Sequence, residues 1–154
     1  MDLNIAAAWL ALGKLRSEDA IAAASSALDR GVYSESLGLL LYEQPVWSEV
    51  GPLFTRALSE LSIPVPPRDE ASLTIAREYA CQIIAGETSP YEGARRIWWE
   101  VANEPGADPS LMAFIGLASE WEDSPRYRPE YEANIMGEAQ RLMSGTADGS
   151  SLPP

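Results

Sequence analysis

Apolar residues recur at helical spacing along most of this chain, and the two-residue alternation of half-buried strands is nearly absent. The clearest run places apolar side chains on one face of a helix with about 3.6 residues per turn. Its members are Val50, Leu53, Phe54, Ala57, Leu58 and Leu61. The sequence therefore predicts an all-α fold, a compact orthogonal bundle of about seven to eight helices built from helical hairpins.

Local capping signals mark where several helices begin. Ser89 precedes Pro90 and lies three residues before Glu92, which is the pattern of a capping box with proline at the first helical position. Asp108-Pro109 repeats the cap-plus-proline arrangement. These signals predict helices that start at Pro90 and Pro109.

Two further residues are expected to mark the ends of the second helix. Ser17 is expected as its N-cap, because acidic residues follow in the first turn. Gly31 is expected to end it in a left-handed conformation, as Gly86 ends the fifth helix.

The only candidate boundary within the chain is the proline-rich segment Ile63–Pro67, which cannot be helical. With 154 residues, the chain is long enough for one sizeable core. We therefore expect a single helical domain over 1–144, with two possible halves, 1–63 and 68–144. The Gly-, Ser- and Pro-rich tail 145–154 is expected to be disordered.

The strongest compositional signal is negative charge. Lys and Arg number 11 against 23 Asp and Glu, which gives a net charge of −12. Up to Pro66 there are four basic and eight acidic residues, and after it seven and fifteen, so most of the excess lies C-terminally. Such a charge disfavours nucleic acids and anionic membranes as partners and favours a basic protein, although solubility alone would also explain it.

The residue types that most often carry out catalysis are scarce. The sequence has no histidine and a single cysteine, Cys81, so Ser-His-Asp and Cys-His arrangements and Cys/His zinc clusters are excluded. We expect no enzyme activity, no catalytic residues, no metal and no cofactor. Cys81 is interpreted as a small buried hydrophobe, and the acidic N-terminus with Ile5–Leu12 as a helix rather than a signal peptide. A cytoplasmic protein fits these features best.

Five tryptophans are more than a chain of this length usually carries. Trp9, Trp98 and Trp121 fit core-facing positions, whereas Trp99 must point about 100° away from Trp98, so one of that pair is expected to be only partly buried. Acids near Trp121 and after the following turn form the candidate partner-binding surface. Its predicted members are Glu120, Trp121, Glu122, Asp123, Glu130 and Glu132.

Two segments carry a resemblance: Ile84–Trp98 (IAGETSPYEGARRIW) and Phe114–Asp123 (FIGLASEWED). Together with Leu53–Leu61, they are similar to segments of a group of small, acidic, poorly characterised bacterial helical proteins. The resemblance covers most of the chain and implies a helical fold, without bringing any catalytic residues. Proteins of this size, acidity and helicity are frequent among the immunity proteins encoded beside secreted bacterial toxins.

These observations favour a binding protein, an immunity or antitoxin protein that neutralises a basic toxin domain by occluding its active site. Two alternatives remain open at the level of sequence. Paired carboxylates with a divalent metal would give a hydrolase. A non-catalytic adaptor that self-associates would also fit. The oligomeric state does not follow from the sequence.

Overall fold

The computed structural model describes residues 1–148, and in that range the backbone forms helices, turns and short connectors but no strand. The predicted all-α class and the predicted number of helices are confirmed. The α-helices in this range are α1 Leu3–Ala11, α2 Ser17–Asp29, α3 Glu35–Leu39, α4 Trp47–Glu60, α5 Arg68–Ile84, α6 Pro90–Ile97, α7 Met112–Asp123 and α8 Arg128–Asp148. Three 3₁₀ turns, Leu40–Tyr42, Pro109–Leu111 and Pro125–Tyr127, and a π-helical segment, Trp98–Ala102, complete the helical structure.

The chain divides into two compact units, Met1–Ala71 and the part from Ser72 onward. The division falls in the first turn of α5, just after the segment Ile63–Pro67, which is non-helical as predicted. The expected single domain over 1–144 stays a prediction.

The first unit is organised by α2 and α4. Helix α2 packs against α1, α3 and α4, and α3 packs against α4. The predicted stripe on α4 is confirmed, since Val50, Phe54, Ala57 and Leu58 are buried. Four alanines of α2 are fully buried and permit close approach of the neighbouring helices: Ala20, Ala23, Ala24 and Ala27.

The second unit is built on α6, α7 and α8, which pack against one another. These helices and the segments beside them contribute the buried side chains Ile97, Val101, Leu111, Phe114, Ala118, Ile135 and Ala139. Helix α5 adds Ile75, Ala76, Ala80 and Ile83 to the buried side chains of this unit. No helix in residues 1–148 is both long and apolar enough to cross a membrane.

The capping predictions hold at both proline-marked helix starts. Ser89 Oγ accepts a hydrogen bond from the backbone N–H of Glu92 at 3.2 Å, and Asp108 Oδ1 accepts one from Ser110 at 2.9 Å. Gly31 has the predicted left-handed conformation, with φ +85°. The prediction for Ser17 is wrong, because it is the first helical residue of α2 and Arg16 occupies the N-cap position without a side-chain bond.

The disorder predicted over 145–154 stays a prediction. Helix α8 continues through Asp148, because one glycine in a helix costs only about 1 kcal/mol and no proline interrupts the chain there. Positions 149–154 lie outside the described residues.

The burial prediction for Cys81 is also wrong. Cys81 is exposed on α5, one residue beyond the fully buried Ala80 and so rotated away from the core. The three tryptophans predicted to face the core, Trp9, Trp98 and Trp121, are partly buried. Trp9 packs against the buried core of the first unit, as predicted. The expectation for the Trp98–Trp99 pair is confirmed, because Trp99 is 57% exposed.

Candidate functional site

The helical hairpin α7–α8 places the predicted binding residues near one another. The 3₁₀ turn Pro125–Tyr127 links the end of α7 to the start of α8, and the two helices pack together. Acids near the C-terminus of α7 therefore lie beside the first turns of α8. Helix α6, which packs on both, contributes Tyr91 from its first turn.

Trp121 is the centre of this arrangement. The Tyr91 ring stacks on it with the centroids 3.8 Å apart and 13° between the planes. The Arg128 guanidinium carbon lies 3.9 Å from the Trp121 ring centroid. Tyr91 and Arg128 therefore both contact the indole of Trp121. Arg128 Nε also donates to the Trp121 carbonyl oxygen at 2.9 Å, which fixes this cation–π contact.

Carboxylates accept hydrogen bonds from the polar edges of this aromatic stack. Trp121 Nε1 donates to Glu132 Oε1 at 3.2 Å, and the Tyr91 hydroxyl donates to Glu122 Oε1 at 2.5 Å. The Tyr131 hydroxyl donates to Glu120 Oε2 at 3.3 Å. We call this set the Trp121 cluster, and its members are Tyr91, Glu120, Trp121, Glu122, Arg128, Tyr131 and Glu132.

The two tyrosine hydroxyls remain protonated donors. The hydrogen bond to Glu122 is the largest cause that raises the pKa of Tyr91 above its usual value, followed by desolvation. Desolvation and then the negative charge of Glu120 raise the pKa of Tyr131. Both hydroxyls therefore keep their bonds to the carboxylates well above neutral pH.

Four of the six predicted binding residues belong to the cluster: Glu120, Trp121, Glu122 and Glu132. The other two, Asp123 and Glu130, are exposed and make no side-chain hydrogen bond or ion pair with any described residue. Glu130 still adds negative potential at the Tyr131 hydroxyl. The predicted acids thus fall into two groups. Glu120, Glu122 and Glu132 accept hydrogen bonds within the cluster, whereas Asp123 and Glu130 are exposed and make no hydrogen bond with a described residue.

Sequence reasoning missed Tyr91, Arg128 and Tyr131. A partial signal for Arg128 and Tyr131 was available, since both lie just after the short turn that follows Trp121. Tyr91 is 30 residues earlier and meets Trp121 only through the packing of α6 on α7, which no local pattern encodes.

The cluster offers recognition chemistry through its charges and aromatic surface. Its carboxylates can accept from cationic donors, and the Tyr91–Trp121 stack offers apolar surface beside them. Among residues 1–148, no three or more His, Cys, Asp or Glu side chains are grouped so that they could hold a metal ion.

Comparison of the chain with protein-family models, curated proteins and solved structures finds no significant match. The resemblance to small, acidic bacterial helical proteins therefore stays a prediction.

Proposed function

We propose that this protein is a cytoplasmic immunity protein that binds a basic bacterial toxin domain and occludes its active site. The binding surface is the Trp121 cluster together with Asp123 and Glu130. The observation that carries the proposal is the concentration of five carboxylates around an ordered aromatic stack that contains one arginine.

Pre-organisation of the cluster supports a binding role. Glu120, Glu122 and Glu132 are already held by hydrogen bonds, so they lose little conformational freedom when a partner docks. Each carboxylate has two oxygens and several lone pairs, so accepting one internal bond leaves sites for lysine or arginine donors.

The aromatic stack supports an anchoring role. Trp121 and Tyr91 are both partly exposed, and they lie among charged groups. Tryptophan and tyrosine in such positions contribute disproportionately to the binding energy of protein interfaces. A basic partner would place apolar surface on the stack and its cationic side chains on the surrounding carboxylates.

The net charge supports steering and inhibition. A surface with excess carboxylate attracts a cationic cleft over distances near the Debye length, and this attraction raises the association rate. A toxin domain that acts on an anionic substrate has positive charge in its active site, and a carboxylate-rich surface competes for that charge.

The test uses the protein encoded by the adjacent gene of the source genome as the binding partner. We expect a stable complex and protection of growth when the two are co-expressed. The double substitution Asp123→Asn/Glu130→Gln should weaken binding by about tenfold, mainly through a slower association rate. These two side chains hold no part of the fold together, so a loss of affinity would not reflect unfolding.

The matched control is Glu49→Gln/Glu78→Gln, which removes the same charge from exposed positions outside the cluster. Its affinity should stay within about twofold of the unsubstituted protein, because neither carboxylate belongs to the proposed binding surface, and charges outside it act only through the screened overall field. If the adjacent gene product neither binds nor is neutralised, the proposed function fails. Equal losses of affinity in the two variants would contradict the assignment of toxin binding to the Trp121 cluster with Asp123 and Glu130.

A further inference from the structure

Exposed large hydrophobic side chains are concentrated in one stretch of the first unit. Residues 1–145 contain twelve such side chains, and six of them lie within positions 33–47. We call these six side chains the 33–47 surface, and its members are Tyr33, Leu39, Leu41, Tyr42, Val46 and Trp47. None of them belongs to the Trp121 cluster.

The amount of exposed aromatic surface is large for a chain of this size. Tyr42 is 86% exposed, Tyr33 is 70% exposed and Trp47 is 42% exposed. At roughly 200 Å² per aromatic side chain, these three fractions leave about 400 Å² of mainly apolar surface in contact with water. A monomeric soluble protein rarely exposes this much apolar surface in one region unless a partner binds there.

The segment that carries these side chains has an ordered backbone. Helix α3 and the 3₁₀ turn Leu40–Tyr42 both pack against α4, which begins at Trp47. In the connector before α4, the Val46 backbone N–H donates to the Gln44 carbonyl oxygen at 2.7 Å. The surface therefore loses little backbone freedom when a partner docks.

The Trp47 ring is also held in place. A Cβ added at Gly51, one turn later in α4, would lie 2.8 Å from Trp47 Cε2, so the indole lies directly against the glycine. Its remaining surface is presented to solvent beside Val46. A large aromatic ring that is positioned but partly exposed is suited to anchor a partner.

The charged residues of this stretch are all acidic. Glu35 and Glu43 make no hydrogen bond or ion pair with a described residue, and no lysine or arginine occurs between Arg30 and Arg56. A second copy of this surface would add like charge without a basic residue to pair with it, and an anionic membrane would be repelled. Apolar side chains beside unpaired carboxylates instead complement a partner that carries both apolar and cationic side chains.

We propose that the 33–47 surface docks an amphipathic cationic segment of a partner protein. Apolar side chains of that segment contact Tyr42, Val46 and Trp47, and its lysine or arginine side chains pair with Glu35 and Glu43. Amphipathic helices are recognised in this way, with apolar anchors that supply buried area and flanking charges that set the orientation. The proposal is independent of toxin binding, because it uses no residue of the Trp121 cluster.

The test is titration of the full chain with a short helical peptide of leucine and lysine in an amphipathic pattern, followed by amide chemical-shift mapping. We expect saturable binding, with shifts centred on Leu41, Tyr42 and Trp47. A peptide with alanine in place of leucine keeps the charge and the helix but should bind at least about tenfold more weakly, because it lacks the apolar anchors. Equal affinity for the two peptides would contradict the role of the apolar surface.

Tyr42→Ser/Val46→Ser should weaken binding of the leucine–lysine peptide by about tenfold or more, because it removes two apolar anchors and leaves every charge in place. The fold should be retained, since Tyr42 is highly exposed and Val46 is the N-cap residue of α4, a position where serine is preferred. The matched control, Val65→Ser/Tyr127→Ser, replaces the same residue types at exposed positions outside the 33–47 surface. It should change binding by less than about twofold.

The charge component is tested with Glu35→Gln/Glu43→Gln, which should weaken peptide binding by about threefold or more. Glu78→Gln/Glu87→Gln, which removes the same charge from exposed positions of the second unit, should leave it within about twofold. Equal losses in these two variants would contradict the pairing with Glu35 and Glu43.

Three further outcomes would overturn the proposal. Peptide-induced shifts that are absent from positions 33–47, or confined to the Trp121 cluster, would place cationic segments elsewhere. A dimer in sedimentation that Tyr42→Ser/Val46→Ser dissociates would identify a second copy as the occupant. Binding to phosphatidylcholine vesicles that is lost in the same variant would identify a lipid surface instead.

Discussion

At the scale of single residues, Glu60 links two helices of the first unit. Its Oε1 accepts from the Ser36 backbone N–H at 3.0 Å, and its Oε2 accepts from Ser36 Oγ at 2.7 Å. Ser36 lies in the first turn of α3, where backbone donors lack intrahelical partners and a negative charge is favoured. Glu60, the last residue of α4, therefore serves as an acceptor for the start of α3.

These bonds to Ser36 lower the pKa of Glu60 below its usual value of 4.5. A lowered pKa in the folded state means that the ionised carboxylate stabilises the fold above pH 4.5, and this contribution is lost as the pH falls through the folded value. We expect Glu60→Gln to lower the urea midpoint at pH 7 and the gap from the unsubstituted protein to narrow towards pH 3. Because Glu60 is exposed, the effect should be small.

The control for this experiment is Glu43→Gln, in the same unit, whose side chain makes no hydrogen bond or ion pair with the described residues. Its midpoint should stay close to that of the unsubstituted protein at both pH values. A gap for Glu60→Gln that stays constant down to pH 3 would contradict the role of the ionised carboxylate.

Residue-level expectations from the sequence succeeded where helical phase alone decides the outcome. Phase places Phe54 in the core and makes one of Trp98 and Trp99 partly exposed. The prediction for Cys81 was wrong because it relied on the apolar segment around this residue and not on phase, which rotates Cys81 away from the buried Ala80. Phase does not decide how far the large Trp121 ring is buried, because that depends on the neighbours that contact it. Trp121 contacts Tyr91 and Arg128, both from other helices.

At the scale of helices, α6 lies very close to the end of α5. A Cβ added at Gly93 would overlap Ile83 Cγ1 and would lie 2.5 Å from Ile83 Cδ1. Ile83 is buried, so it has little room to move away. Helices α5 and α6 can approach this closely because Gly93, which lies in the contact, has no side chain.

Gly93→Ala should therefore destabilise the protein by about 1–3 kcal/mol, the usual cost of overpacking a core, despite the higher helix propensity of alanine. The measurement is the free energy of unfolding from urea denaturation. The matched control is Gly116→Ala in α7, where the added Cβ would meet nothing within 4 Å. That substitution should stabilise by up to about 1 kcal/mol. A gain in stability from both substitutions would show that α5 and α6 are farther apart than in this structure.

Helix starts were more predictable than helix interiors. Ser89 and Asp108 act as caps because their hydrogen bonds join residues two or three apart, so the sequence contains the whole interaction. The π-helical segment Trp98–Ala102 was not predicted, because the sequence carries no local signal for its wider hydrogen-bond spacing. Of the candidate site, the sequence likewise predicted only Trp121 and the acids that lie near it in the chain.

At the scale of the whole molecule, both units carry excess negative charge. Residues 1–71 contain five basic and ten acidic residues, and the remainder contains six and thirteen. The repulsion within each unit opposes folding, because an unfolded chain holds the same charges farther apart. The compact state is therefore expected to depend on screening by salt.

Raising NaCl from about 10 mM to about 150 mM shortens the Debye length from about 30 Å to about 8 Å. We expect the thermal midpoint to rise by about 2–4 °C, which corresponds to about 1 kcal/mol for a chain of this size. Sucrose at equal osmolality is the control for solvent exclusion. A midpoint that falls with salt would mean that favourable ion pairs outweigh the repulsion.

Partner binding should respond to salt with the opposite sign. The same screening weakens attraction between the carboxylates around Trp121 and a basic surface, so association with the toxin domain should slow while the fold becomes more stable. Measuring both over one salt series separates the two roles of the charge. If acidity serves solubility alone, the thermal midpoint changes and the association rate does not. If the acids around Trp121 steer the partner, Asp123→Asn/Glu130→Gln should flatten the salt dependence of the association rate and leave that of the midpoint nearly unchanged.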